Sequence, residues 1–300
     1  MSEKEPQMSA PESELDARKK MTGYATSVLD PASEHTVDVV IPVLNEAHVL
    51  EKSVMSVRAF LAGHMPHRWR VVVVDNGSSD GTDRVARSLV ERFDDVAFMH
   101  LTERGRGRAL RHAWTTSQAD VVCYTDVDLS TELAALPNLV NGILFEGYEV
   151  GTGSRLLPDS TTTRSFQREF ISRTYNFMVR TILRTTFSDA QCGFKAVSRK
   201  AVLAVVPHIR DESWFFDTEL LTLSEKWGYP IMDLAVRWDE DDDSRVKIVR
   251  TAWDDIKGIL RVRWYMWTDR LARQRQAAAP GHRTEAYRMA SGSQPTGQRT

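Results

Sequence analysis

The chain reads as an α/β protein with a mainly parallel central sheet flanked by helices. Three observations predict this. Short valine-rich runs alternate with longer amphipathic ones, and each short run ends in a polar turn rich in Gly, Asn or Asp. The 300 residues, 42% hydrophobic and 27% charged, allow one large core plus polar tails.

Residues 1–34 are rich in Ser, Glu, Lys, Pro and Ala without an apolar period, and 276–300 share that character, so both ends are expected to be disordered. Val37 to Ile41 reads as a buried strand ended by Pro42. Asn45 and Glu46 then open a helix that carries Val49, Leu50, Val54 and Val57. The unit recurs with the strand Val71 to Val74, a turn from Asp75 to Gly81 and a helix from Thr82 to Phe93. A third strand is expected at Val96 to Leu101, a glycine-opened helix at Arg104 to Trp114, and a further strand at Asp120 to Thr125 that ends in Asp126 and Asp128. Alternating βα units imply right-handed crossovers and parallel strands.

Composition narrows the function classes. A net charge of -2 gives no global field of the kind nucleic-acid binders use. The two cysteines, Cys123 and Cys192, form no CxxC pair, which fits a reducing cytoplasm, and Cys192 is assigned no chemistry. Each apolar run is broken by charge well before the roughly 20 residues that a membrane-spanning helix needs.

In parallel sheets ligands bind beyond the carboxyl ends of the strands, where Asn45, Asp75 and the Asp126/Asp128 pair all fall. Two carboxylates two residues apart after a strand reach one hard cation across a sharp turn, and Mg²⁺ or Mn²⁺ suits them. The same pattern alone also caps a helix. In the turn Asp75 to Thr82, Gly77 and Gly81 supply unusual backbone angles, and Asp80 or Thr82 caps the helix. Asp75, ending the valine strand, is expected to point into the cleft toward a base or ribose.

The segments Ile41-Pro-Val-Leu-Asn-Glu46, Val74 to Thr82, Arg104-Gly-Arg-Gly-Arg-Ala109 and Asp126-Val-Asp128 stand in the order seen in family 2 glycosyltransferases. The resemblance runs from about Val37 to Ile248. Gly153-Ser-Arg155, the helix bearing Arg168, Ser172 and Asn176, Asp189 to Lys195, and Trp214 to Leu221 look like the polyprenyl (dolichyl) phosphate glucosyl- and mannosyltransferase branch.

The resemblance implies a GT-A Rossmann-like domain over 35–250 and a metal-dependent, inverting hexosyltransferase. By it, Pro42, Asn45, Glu46 and Asp75 would serve the donor nucleoside, Arg104 and Arg108 the diphosphate, and Asp126 with Asp128 the metal. Arg155 and Arg168 would orient an acceptor phosphate, helped by Ser172 and Asn176, and Asp189 would order the acceptor side or assist the metal. Arg168, Ser172 and Asn176 recur every four residues and so share one helix face, which also suits a solvated surface. The chain departs from the family at Asn76, where relatives often carry a second acid, and at Arg106, where they carry a lysine.

A lipid-phosphate acceptor needs no strong general base, whereas a soluble hydroxyl acceptor would require Asp189 or Asp217 as one. UDP-glucose is the favoured donor and GDP-mannose the second candidate; the alternative is the same fold acting on a soluble hydroxyl, and a non-catalytic nucleotide-sugar binder ranks last. From Arg245 to Arg275, nine Lys or Arg stand against three Asp, interleaved with Trp253, Trp264, Tyr265 and Trp267. A basic, aromatic helix over 251–275 suits peripheral contact at the inner face of a membrane, or packing on the catalytic domain, a membrane partner or a second subunit.

Overall fold

The structure is a computed structural model that describes residues 34–163, 165–239 and 248–267. The expected tails lie outside these residues, apart from Glu34, and so do residues 268–275 of the expected C-terminal helix.

The core is a seven-stranded sheet in the order β3-β2-β1-β4-β7-β5-β8. Its strands are β1 (Thr36–Val43), β2 (Arg68–Asn76), β3 (Val96–Leu101), β4 (Val121–Thr125), β5 (Val150–Ser154), β7 (Phe194–Ser198) and β8 (Ile231–Ala235). β7 alone runs antiparallel to its neighbours β4 and β5. A small parallel pair, β6 (Thr161–Thr163) and β9 (Arg237–Asp239), lies beside it. The mainly parallel expectation therefore holds.

The helices are α1 (Leu50–His64), α2 (Thr82–Arg92), α3 (Arg106–Thr116), α4 (Leu136–Phe145), α5 (Phe166–Leu183), α6 (Arg199–Val205), α7 (Phe216–Lys226) and α8 (Ile248–Trp267). They cover both faces of the sheet, which is why β2 is apolar at every central position. Val72 and Val74 enter one core with Leu110, Val179, Leu220 and Ile259, while Val71 and Val73 enter the other with Leu50, Val54, Leu89 and Leu139.

Two boundaries differ from the expectation. β1 runs through Pro42, which stands opposite Val74, because pairing to β4 has already ended at Val40 and the missing N–H falls where the strand is one-sided. α1 begins at Leu50 rather than beside Asn45, because Asn45 is left-handed, with φ 59°, and makes a turn first. All four loops at the carboxyl ends of β1 to β4 emerge on one edge, where the candidate site lies.

Candidate active site

The loops after β1 and β2 are stitched together by short polar side chains. The Asn45 backbone N–H donates to Ser78 Oγ at 2.8 Å, and Asn45 Oδ1 accepts from the Ser79 N–H at 2.8 Å. The Glu46 N–H donates to Thr82 Oγ1 and the Ala47 N–H to Asp80 Oδ2. Burial works to raise the Asp80 pKa, but the Thr82 hydroxyl and the N–H groups of Ala47 and Thr82 outweigh it and hold the carboxyl below its usual range. Gly77 and Gly81 are both left-handed, with φ 89° and 97°.

Asp75 corrects the expectation of an open carboxylate in the cleft. It is fully buried beneath its loop, where it accepts from the Ser78 N–H at 2.9 Å and pairs with His100 Nδ1 at 3.0 Å. The side chain that reaches solvent there is His100, 40% exposed, which motif reading missed. Asn76 Nδ2 donates to the Val43 carbonyl and its Oδ1 accepts from the Gly105 N–H, so one amide joins β1, β2 and the start of α3. A carboxylate would offer no N–H to Val43, which is a physical reason for Asn in this chain.

At the end of β4 the chain turns sharply. Leu129, left-handed at φ 53°, donates its N–H to the Asp126 carbonyl, and Ser53 Oγ on α1 fixes the Val127 carbonyl at 2.5 Å. Asp126 and Asp128 therefore flank one fixed turn, Asp128 exposed and accepting from the Ser130 N–H. A Cβ at Gly193 would lie 1.7 Å from Asp126 Oδ2, so only glycine lets β7 approach that carboxylate.

Arg106 is the central cation. Its Nε and Nη2 donate to Asp126 Oδ1 at 3.2 and 2.9 Å, its Nη1 to Asp217 Oδ2 at 2.8 Å, and its guanidinium lies between the rings of Tyr124 and Trp214. Burial works against its charge, but Asp126 leads the interactions that outweigh it and raise its pKa. Tyr124 Oη also donates to Asp217 Oδ2 at 2.6 Å, and the fully buried Lys195 Nζ donates to the Cys192 carbonyl and stands 3.6 Å from Asp217 Oδ1. The glycines around Arg106 have a packing reason: a Cβ at Gly105 would meet the Glu212 carbonyl at 2.5 Å, and one at Gly107 the Phe216 Cβ at 2.7 Å. Arg108 binds Glu212 and Glu103, while Arg104 flanks Gly77.

On the far side, Arg155 forms a bidentate pair with Asp189, Nε to Oδ2 at 2.7 Å and Nη2 to Oδ1 at 3.0 Å, and the Arg155 N–H adds a third bond. Asp189 is fully buried; burial alone would raise its pKa, but Arg155 overrides it and pulls the carboxyl down to about 2. The Arg155 cation disfavours the proton that a general base at Asp189 would have to take. Arg155 Nη1 takes no bond among the described residues.

Arg168, Ser172 and Asn176 do share one face of α5, but Asn176 is buried and committed: Nδ2 donates to the Ser172 carbonyl and Oδ1 accepts from the Ala190 N–H at 2.8 Å. Its contribution is to fix the loop behind Asp189, leaving the half-buried Arg168 and Ser172 nearer the surface. Gln191 Nε2, from the same loop, donates to Asp255 Oδ2 on α8 at 2.8 Å.

Among the described residues no group of three or more His, Cys, Asp or Glu converges as a metal cage. The donor set fits a hard divalent ion that takes two carboxylates from the protein and its remaining oxygens from a diphosphate and water.

Residues 38–205 match the family model for glycosyl transferase family 2. The chain belongs to that family. This glycosyltransferase is 35% identical over 232 residues to Glycosyltransferase AglD of Haloferax volcanii, covering 77% of its own length and 37% of the relative's. It is 30% identical to the dolichyl-phosphate beta-glucosyltransferase of Drosophila melanogaster, over 73% of its length and 71% of the fly protein's. These relatives put the glycosyltransferase in the dolichyl-phosphate branch. Glucosyl-3-phosphoglycerate synthase from Mycobacterium tuberculosis, solved with UDP, superposes with a TM-score of 0.59 at 19% identity and 85% coverage of each chain, which shows the GT-A fold. The same enzyme has been solved with Mn²⁺, UDP and glucosyl-3-phosphoglycerate, at a TM-score of 0.56, 18% identity and coverage of 77% and 80%.

Proposed function

We propose that this glycosyltransferase moves glucose, with inversion, from UDP-glucose to a polyprenyl phosphate of the dolichyl type. The observation that carries the acceptor class is the buried Arg155–Asp189 pair. Asp189 is committed to Arg155, and Asp217 to Arg106 and Tyr124, so neither of these two carboxylates stands ready to deprotonate a hydroxyl. A phosphate oxygen is already anionic near neutral pH and needs positioning rather than a base. The kinship with dolichyl-phosphate beta-glucosyltransferases favours the same acceptor and glucose over mannose, leaving GDP-mannose the second donor to try.

In this reading Asp126 and Asp128 hold Mg²⁺ or Mn²⁺, which, when bound, stabilises the charge on the departing nucleoside diphosphate. Arg106 keeps the Asp126 carboxylate oriented and places a cation where that charge develops. Asn45, Glu46 and Pro42 line the nucleoside end, with Asp75 acting through His100, and Arg104 and Arg108 flank the diphosphate path. Arg155, aimed by Asp189, and Arg168 with Ser172 orient the attacking phosphate, whose oxygen forms the bond to the anomeric carbon as the bond to the diphosphate oxygen breaks.

The test is nucleoside diphosphate release from UDP-glucose and GDP-mannose with Mg²⁺ or Mn²⁺, with and without a polyprenyl phosphate, and with Asp128→Ala as control. Lipid-dependent release from UDP-glucose, lost in the variant, is expected. Metal-dependent release indifferent to the lipid would move the acceptor to a soluble hydroxyl and sink the proposal.

A further inference from the structure

The loop of residues 189–193 touches both ends of the transfer site. Asp189 at its start pairs with Arg155, and Gly193 at its end lies against the Asp126 carboxylate. Between these points the loop is gripped from three elements. Asn176 of α5 accepts the Ala190 N–H at 2.8 Å, Lys195 of β7 donates to the Cys192 carbonyl at 2.6 Å, and Asp255 of α8 accepts from Gln191 Nε2 at 2.8 Å. Asn176 and Lys195 stand within the residues 38–205 that match the family model, whereas Asp255 stands beyond them.

The buried side of α8 that carries Asp255 also grips a second segment. Gly258 and Arg261 follow it at offsets of three and six residues, which stay on one side of a helix. A Cβ at Gly258 would lie 2.6 Å from the Phe215 ring, so α8 sits flush against the start of α7. Arg261 donates to Glu219 Oε2 at 3.0 Å and to Asp211 Oδ2 at 3.3 Å. Phe215 and Glu219 bracket Asp217, the carboxylate that holds Arg106 at 2.8 Å. One helix side therefore supports both carboxylates that aim the site arginines: Asp189 by way of Gln191, and Asp217 by way of Phe215 and Glu219.

We propose that α8 is a brace of the transfer site, and that Asp255 is a positioning residue which, through Gln191, sets the loop carrying Asp189 and with it the aim of Arg155.

Folding alone does not call for an acid here. Ile259 and Val262 already anchor α8 in the core. Asp255 is only 5% exposed, and burying a carboxylate against a neutral amide costs solvation that a single hydrogen bond returns only in part. Apolar packing has no direction, whereas a hydrogen bond fixes where the Gln191 amide, and so the loop, must stand.

The experiment is amide hydrogen exchange of the full chain without donor or acceptor, then steady-state kinetics, on Asp255→Ala, Asp255→Asn, Gln191→Ala and the double variant Asp255→Ala/Gln191→Ala. Asn keeps an oxygen that accepts from the Gln191 amide, and Ala does not. Exchange at 189–193 is expected to quicken by about tenfold or more in each Ala variant and no further in the double variant. The β1 amides, the reference for global stability, should stay unchanged, and Asp255→Asn should exchange no faster than wild type. Unchanged exchange at 189–193, equal quickening in β1, or additive effects in the double variant would overturn the proposal. In turnover, the acceptor KM should rise by about tenfold or more in Asp255→Ala with the donor KM held, and Asp255→Asn should restore it. A rise confined to the donor KM would likewise overturn the proposal. The kinetic arm rests on the polyprenyl phosphate acceptor proposed above. A wild type inert toward that lipid would sink that reading, while exchange would still decide the brace.

Discussion

The two sides of the cleft are built differently. On the donor side, the loops after β1, β2 and β4 are tied by hydrogen bonds between short polar side chains and backbone N–H groups, as in Asn45 with Ser78 and Ser79. On the acceptor side, charged groups are held over long chain separations: Arg155 by Asp189, Arg106 by Asp217, and Asp255 by the Gln191 amide. Neutral loop contacts are each worth roughly 1 kcal/mol, whereas a buried ion pair broken on one side costs several. Damage should therefore be graded on the donor side and abrupt on the acceptor side.

Asp189→Ala is the sharpest way to break this contrast. It leaves the mostly buried Arg155 guanidinium without its carboxylate partner, and a loss of about 3 kcal/mol in denaturant unfolding is expected. A loss below about 1 kcal/mol would show that the acceptor side is as forgiving as the donor side. The sign with pH follows from the depressed folded pKa of about 2. Stability from ionised Asp189 is fully present above its unfolded value near about 4 and is lost as pH falls from there through about 2. The variant should lack that part of the acid transition.

Gly193→Ala comes next, because its Cβ would enter the Asp126 carboxylate itself. Displacing that group by an ångström is expected to lower kcat by about a hundredfold or more. Retained turnover would mean that Asp126 does not act from this position.

Asp255→Asn probes the acceptor side from α8 with the opposite sign. Burial, the largest influence, raises the Asp255 pKa to about 6, so the folded state binds a proton that the unfolded state has released. Stability should fall as pH rises from about 4 to 6 and remain lower above it. Asn removes this penalty, on the order of 2 kcal/mol, which parallel pH series of unfolding would reveal.

The smallest effect is expected from Asn76→Ala, on the donor side. It removes bonds to the Val43 carbonyl and the Gly105 N–H, at a cost of about 1–2 kcal/mol. Steady-state kinetics should show a raised donor KM with kcat nearly held. A kcat collapse would erase the distinction between the two sides.

Periodicity and turn chemistry carried much of this into the sequence itself. Four consecutive valines announce a strand buried on both faces, and an Asp-Asn-Gly turn announces its end, because both depend only on neighbours along the chain. The approach of Asn45, Asp75 and Asp126 to one sheet edge followed from the parallel βα order alone. What stayed hidden depended on partners far away in sequence. Nothing local to Asp75 says that His100 cages it, nor that Asn176 is spent on Ala190. Arg106 stood out only as a departure from a family lysine, although the cluster of glycine and arginine around it was the available signal. Its bridge to Asp126 and Asp217 exists because β4 and α7 meet there, and Gly193 matters because β7 runs antiparallel against β4. The sequence by itself determined the alternating strands and helices and the edge on which the site lies, since these follow from side-chain period and chain order. Only the tertiary structure decided which charges pair and which carboxylates are closed off, because burial and ion pairing are properties of neighbours that the chain brings together only by folding.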